Sequence, residues 1–415
     1  MTAQPRVVRL RCGMRAVLAP CEAESVAFGV FVKSGSRHET ARTAGISHFI
    51  EHMLFKGTPS RRAYDITCAI EGRGGNFNAF TGEEQTCFFA HLPSECLGTA
   101  VEILGDMYQN ALISPDEFER EKGVIIEEIR MYQDEPDSVA AENLQRALFP
   151  GHPLGAPVAG TEASLRPMTP GMVKSYMRSH YRPSATCVVV AGAFDEGEAL
   201  RLLEAAFAPC GRAGGRVRRA AADPGSPLAR PPVPETRVEK EVAQVQLALG
   251  YRTFGVGDSR RYAATVLDAV LGSGMASRLF QSVRERRGLS YDISSRLQFF
   301  SDAGQFTVSA GLERAKAARA LATVDRELER VCRSKVPRAE LERAKTYLIG
   351  NFRLAHEKVL SKMIYHGSAM TTFGRIVPTQ EQVDGVRAVT ADDVLGVARA
   401  IFRPENRALS LVVPK

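Results

Sequence analysis

The chain repeats itself, and a repeat of this length narrows the fold sharply: whatever architecture the first half adopts, the second must adopt as well. MTPGMVKSYMRSHYRPSATCVVVAG (168–192) is matched near the end of the chain by VTADDVLGVARAIFRPENRALSLVV (389–413). Each reads as a Thr-capped amphipathic helix, an aromatic-Arg-Pro breaker and a buried strand. Thr169 stands as far from Tyr181-Arg182-Pro183 as Thr390 does from Phe402-Arg403-Pro404. Earlier elements follow the same order. SPDEFEREKGVIIEEIR (114–130) resembles VPRAELERAKTYLIGNF (336–352), and VAFGVFVKSGS (26–36) parallels QVQLALGYRTFG (244–255).

Within each half, alternating apolar strands come first and longer helices follow. That order predicts an α+β fold of two homologous domains, each a largely antiparallel sheet with helices covering one face. The expected division is 1–210 for the first domain and 237–415 for the second. Residues 211–236, rich in Gly, Pro and Arg and without hydrophobic periodicity, are expected to link them.

The chemistry is concentrated in AGISHFIEHMLFKG. At about 100° per residue, His52 lies about 40° from His48 around a helix and Glu51 about 60° to the other side, so the three share one face. Phe49, Ile50, Met53 and Leu54 flank them and can anchor the helix in a core. Two neutral imidazoles at i, i+4 suit zinc, and an adjacent carboxylate can take a proton from a zinc-activated water. A bare pattern of this kind is also compatible with packed histidines, so the case needs a third ligand.

The helix SPDEFEREKGVIIEEIRMYQ is the best supplier. Glu121 and Glu128 are seven residues apart and fall on one face, beside the apolar residues Val124, Ile125, Ile126 and Ile129. Two carboxylates on such a face are expensive to bury without a cation. Periodicity alone leaves Glu127 open as an alternative to Glu128. The second half carries the same architecture without the ligands: Ala344 stands opposite Glu121, Asn351 opposite Glu128, and YAATVLDAVLG (262–272) has no histidine. An active domain and a supporting domain would look like this.

Composition excludes several other classes. The 415 residues are 44% hydrophobic and 24% charged, the usage of ordinary globular proteins. A net charge of +7 spread along the chain does not point to nucleic acid. No apolar run is long enough for a membrane span and no secretory signal is evident, so a cytoplasmic protein without membrane contact is expected. Eight cysteines without a Cys-Xaa-Xaa-Cys pair argue against a thiolate zinc site.

These residues resemble the pitrilysin/insulysin family of zinc metallopeptidases, whose motif is the inverted His-Xaa-Xaa-Glu-His, and particularly its branch of processing-peptidase-like bacterial proteins. The resemblance runs through GSRHET, GISHFIEHMLFKGT, NFNAFTGEEQTCFFAHL, FEREKGVIIEEI, HPLGAPVAGT, SYMRSHYRP and RERRGLSY. It implies one Zn2+ per chain held by His48, His52 and Glu128, the last 76 residues beyond His52. It also implies Glu51 as general base and Glu121 as a further active-site carboxylate. Asn78, Ala79 and Phe80 match the core of an edge strand that binds extended peptide by strand addition. Arg284 and Tyr291 match groups directed at the substrate carbonyl and tetrahedral intermediate. By themselves, Arg284 would be a surface helix residue and Tyr291 a core strand residue. The resemblance therefore implies a zinc metalloendopeptidase cleaving extended or unfolded peptides, working as a homodimer or with a homologous subunit. A non-catalytic peptide-binding or scaffold subunit is the alternative.

Overall fold

The computed structural model describes residues 4–210, 228 and 232–415. Their contacts divide them into two compact units. In the first, a six-stranded sheet runs in the order Arg6–Arg9, Arg15–Pro20, Thr186–Gly192, Ser25–Val32, Thr86–Pro93, Asn76–Thr81. In the second, a five-stranded sheet runs Glu235–Lys240, Arg407–Pro414, Val245–Phe254, Ala303–Leu312, Ser290–Phe299. The five strands correspond one to one with the last five of the first sheet. Each sheet has a single parallel pair at the same place, Arg15–Pro20 with Thr186–Gly192 and Glu235–Lys240 with Arg407–Pro414, the other pairs being antiparallel. The repeat is thus a duplicated α+β fold. Of the expected linker, residues 211–227 and 229–231 lie outside the described residues, and Glu235, assigned to it, already begins a strand.

The repeated helices form where the sequence places them. Thr169 Oγ1 accepts from the Met172 amide at 3.3 Å to start Pro170–His180, and Thr390 Oγ1 accepts from the Asp393 amide at 3.2 Å to start Ala391–Ile401. Pro183 and Pro404 then open short 3-10 turns into the strands Thr186–Gly192 and Arg407–Pro414.

The arrangement departs from expectation in how the sheets are covered. Helices lie on both faces of each, and the second face is covered by a helix from the opposite half of the sequence. Residues 130–156, which carry the helix Pro136–Leu148, belong to the second unit, and 354–377, which carry Val359–Phe373, belong to the first. The division at 1–210 and 237–415 puts both segments on the wrong side. Helical periodicity reveals that a face is buried but not which sheet buries it.

The strand Ser25–Val32 makes the two-sided burial visible. Val26, Phe28, Val30 and Val32 join the main core of the first unit, while Ala27 and Phe31 join a second cluster with Met363 and Met370 of the exchanged helix. Gly29 and Gly367 let that helix approach: a Cβ on Gly29 would meet the Met363 side chain, and one on Gly367 the Phe31 ring. In the second unit Gly250, at the place of Gly29 in the repeat, lies in the same way against Leu144 and Leu148. Gly367→Val is expected to destabilise the protein by about 1–3 kcal/mol through overpacking. Its urea midpoint reads this out, and an unchanged midpoint would mean that the helix does not seal this face.

Candidate metal centre

The helix Ile46–Leu54 starts at Gly45, whose φ of 89° lies in the left-handed region; a Cβ there would run into the Ala159 carbonyl. Its first amides are received by Glu39, whose carboxylate accepts from Gly45 N at 2.7 Å and Ser47 N at 2.8 Å. Burial pushes the Glu39 carboxyl up to about 7, against the pull of those amide donors. Ile46, Phe49, Ile50, Met53 and Leu54 are fully buried, which turns His48, Glu51 and His52 to the half-buried opposite side. Phe49 stacks on Phe118 at 4.5 Å, which fixes the helix Pro115–Asp134 beside it. Phe118, Ile125 and Ile129 hold that second helix to the core, and the same periodicity places Glu121 and Glu128 on the side facing the histidines.

His48, His52 and Glu128 come together. One donor atom from each lies within 4.8 Å of the others, and no other such group of three or more His, Cys, Asp or Glu occurs among the described residues. His52 Nε2 is 3.4 Å from Glu128 Oε2, and His48 Nε2 is 3.8 Å from Glu128 Oε1. Ligands about 2.0–2.1 Å from a tetrahedral zinc are roughly 3.4 Å apart, so the spacing fits that ion. Protonation states fit as well. Burial, reinforced by His52 and opposed by Glu128, lowers the His48 pKa to about 4, leaving a neutral imidazole at pH 7. Glu127, which periodicity could not exclude, is exposed, whereas Glu128 is half-buried within the cluster.

Three further contacts surround the cluster. His52 Nδ1 lies 2.8 Å from Glu121 Oε1, and Lys56 Nζ is 2.5 Å from Glu121 Oε2. A carboxylate on Nδ1 fixes the tautomer that leaves Nε2 free to ligate. Burial would raise the Glu121 carboxyl, but the hydrogen bonds from His52 and Lys56 outweigh it and hold it below the usual range. Glu51 accepts a hydrogen bond from Thr81 Oγ1 at 2.6 Å. Burial raises its carboxyl above the usual range, and the Thr81 hydroxyl opposes that shift. Sequence reasoning passed over Lys56 and Thr81. Lys56 stands four residues beyond His52 but past the helix end at Leu54, so helical periodicity gave only a weak signal for it. Thr81 had no local signal, because only sheet packing brings its strand against the helix.

Asn78, Ala79 and Phe80 lie in Asn76–Thr81, the last strand in the sheet order, with a partner on one side only. Phe77 and Ala79 pack toward the main core, and Phe80 toward the opposite cluster. The Ala79 amide donates to Asn78 Oδ1 at 2.7 Å. Arg284 and Tyr291 lie in the second unit. Tyr291 is 81% exposed, which corrects the reading of a core strand residue. Ser290 pairs with Leu312 and Asp292 with Gly311, so Tyr291 is the extra residue of a β-bulge, and the bulge turns its side chain outward. The Arg284 guanidinium lies over its ring at 4.9 Å and over the Phe280 ring at 4.7 Å. These two residues are therefore neighbours. Among the described residues no helix is long and apolar enough to cross a membrane.

Fold and site define a class: a duplicated α+β protein whose first repeat carries an inverted His-Xaa-Xaa-Glu-His motif with a candidate metal-ligand cluster and whose second repeat lacks those residues. The chain belongs to the insulinase family, peptidase family M16. Residues 16–162 match the model described as insulinase (peptidase family M16), and residues 167–348 match the model described as peptidase M16 inactive domain. The chain is 34% identical over 397 residues to an uncharacterized zinc protease of Bacillus subtilis, YmxG, covering 94% of this chain and 93% of that protein. It is 36% identical over 399 residues to an uncharacterized zinc protease of Mycobacterium tuberculosis, covering 96% and 91%. The crystal structure of a protease from Helicobacter pylori superimposes with a TM-score of 0.92 at 20% identity, over the whole of both chains.

Proposed function

We propose that the protein is a zinc metalloendopeptidase acting on extended or unfolded peptides. The observation that carries this reading is the convergence of His48, His52 and Glu128 on one position, with Glu51 on the same helix face. His48, His52 and Glu128 would hold the ion through two neutral imidazoles and one carboxylate. Zinc bound there supplies Lewis acidity, which makes water nucleophilic near neutral pH. Glu51 accepts the proton of the attacking water and hands it to the departing amine as the peptide bond breaks. Glu121 holds His52 in its ligating tautomer, with Lys56 neutralising the far oxygen. The open edge at Asn78, Ala79 and Phe80 offers backbone groups to a peptide in extended form. Tyr291, presented by its bulge and backed by Arg284 within the second unit, is the residue that by resemblance to the family would donate to a developing oxyanion.

Incubation of the purified protein with a quenched fluorescent peptide library tests the reading. Cleavage is expected, with loss on chelation and recovery on stoichiometric zinc. Absence of chelator-sensitive cleavage would refute it and favour a peptide-binding or scaffold subunit.

A further inference from the structure

The hydroxyl that hydrogen-bonds Glu51 comes from a residue outside the motif. The Thr81 hydroxyl donates to Glu51 Oε2 at 2.6 Å, the hydrogen bond that Glu51 receives among the described residues. A glutamate on a helix surface has several rotamers within reach, and a base that wanders by about 1 Å can lose about 100-fold in rate. Thr81 is in a position to prevent this because its own backbone is fixed. It ends the strand Asn76–Thr81 and pairs with Thr86, whose hydroxyl donates to the Ser34 carbonyl at 2.9 Å.

The turn that follows is clamped. The Gly82 amide donates to the Gln85 carbonyl at 2.9 Å, and the Gly82 and Glu83 carbonyls accept from the Ser36 and Arg37 amides at 3.2 and 2.8 Å. The Arg37 guanidinium, buried to 1% exposure, pairs with Glu84 at 2.8 Å. A hydroxyl on so rigid a support holds one carboxylate oxygen and leaves the other to receive a proton.

We infer that Thr81 is the positioning residue of Glu51, and that one strand both offers its open edge to the peptide and aligns the base. This rests on the zinc peptidase reading above. The placement is efficient: Ala79, whose amide faces the open edge, is two residues from the hydroxyl on Glu51.

Thr81→Val removes the donor at nearly constant shape, and Thr81→Ser keeps it. Steady-state kinetics on a quenched peptide, zinc content and crystal structures of the metal-free proteins are the readouts. Thr81→Val is expected to lower kcat by about 10- to 100-fold while KM and zinc content stay within about 2-fold, too small a change to carry that loss. Thr81→Ser is expected to restore kcat to within about 3-fold of the parent, the residual set by the serine hydroxyl's greater rotamer freedom. In the metal-free crystals Glu51 should occupy one rotamer in the parent and in Thr81→Ser, and several in Thr81→Val. Unchanged kcat in Thr81→Val, a loss carried by KM or zinc, or a serine variant as impaired as the valine would overturn the inference. A parent protein that cleaves nothing refutes the peptidase reading instead. The Glu51 rotamers then decide the positioning claim alone, an unmoved carboxylate in Thr81→Val overturning it.

Discussion

Glu51→Gln is expected to lower kcat by about 100- to 10,000-fold, the range of a lost general base, with zinc content unchanged. The amide is nearly isosteric with the carboxylate and can keep a hydrogen bond to the Thr81 hydroxyl, but it accepts no proton from water at neutral pH. None of the three converging donor atoms belongs to Glu51, so the metal site keeps its ligands. Substrate affinity should change little, because the edge strand is untouched. The measurement is kcat and KM on a quenched peptide, with metal analysis of the same sample. Hydrolysis at the parent rate would remove Glu51 from the role. Loss of zinc together with activity would make it a structural part of the metal site rather than the base.

The second large effect separates two adjacent glutamates. Glu128→Gln is expected to weaken zinc retention by at least about 100-fold, more than loss of an outer-sphere partner, because an anionic ligand becomes a neutral amide. Glu127→Gln should leave zinc content within about 2-fold of the parent, as for most exposed substitutions. Dialysis against a competing chelator followed by metal analysis reads both. Equal retention in the two variants would move the third ligand elsewhere. The expectation rests on burial and distance: Glu128 carries its oxygens 3.4 and 3.8 Å from the two imidazoles, and Glu127 is turned to solvent.

Much of the centre was legible because helices carry their own geometry. A period of 3.6 residues places His48, Glu51 and His52 on one face, and Glu121 with Glu128 on another, without reference to the rest of the chain. Strand and sheet contacts have no such local rule. Thr81 meets Glu51 across 30 residues of sequence, through a sheet edge that only the pairing of Asn76–Thr81 with Thr86–Pro93 defines. Tyr291 belonged to an apparently ordinary strand until a one-residue bulge turned it outward. The domain division failed for a related reason: Pro136–Leu148 and Val359–Phe373 both bury residues against a sheet, and nothing local states which sheet each will cover.

The amino-acid order alone indicated one fold used twice, with the candidate ligand residues, two histidines and neighbouring glutamates, in the first copy and not in the second. These facts follow from repeated spacing and from residue chemistry, both linear properties of the chain. Tertiary structure decided which of two neighbouring glutamates reaches the histidines, which hydroxyl steadies the base, and how each half gives a helix to the other unit. Those outcomes depend on packing between segments distant in sequence, where a rotation of about 100°, one residue along a helix, decides between solvent and site.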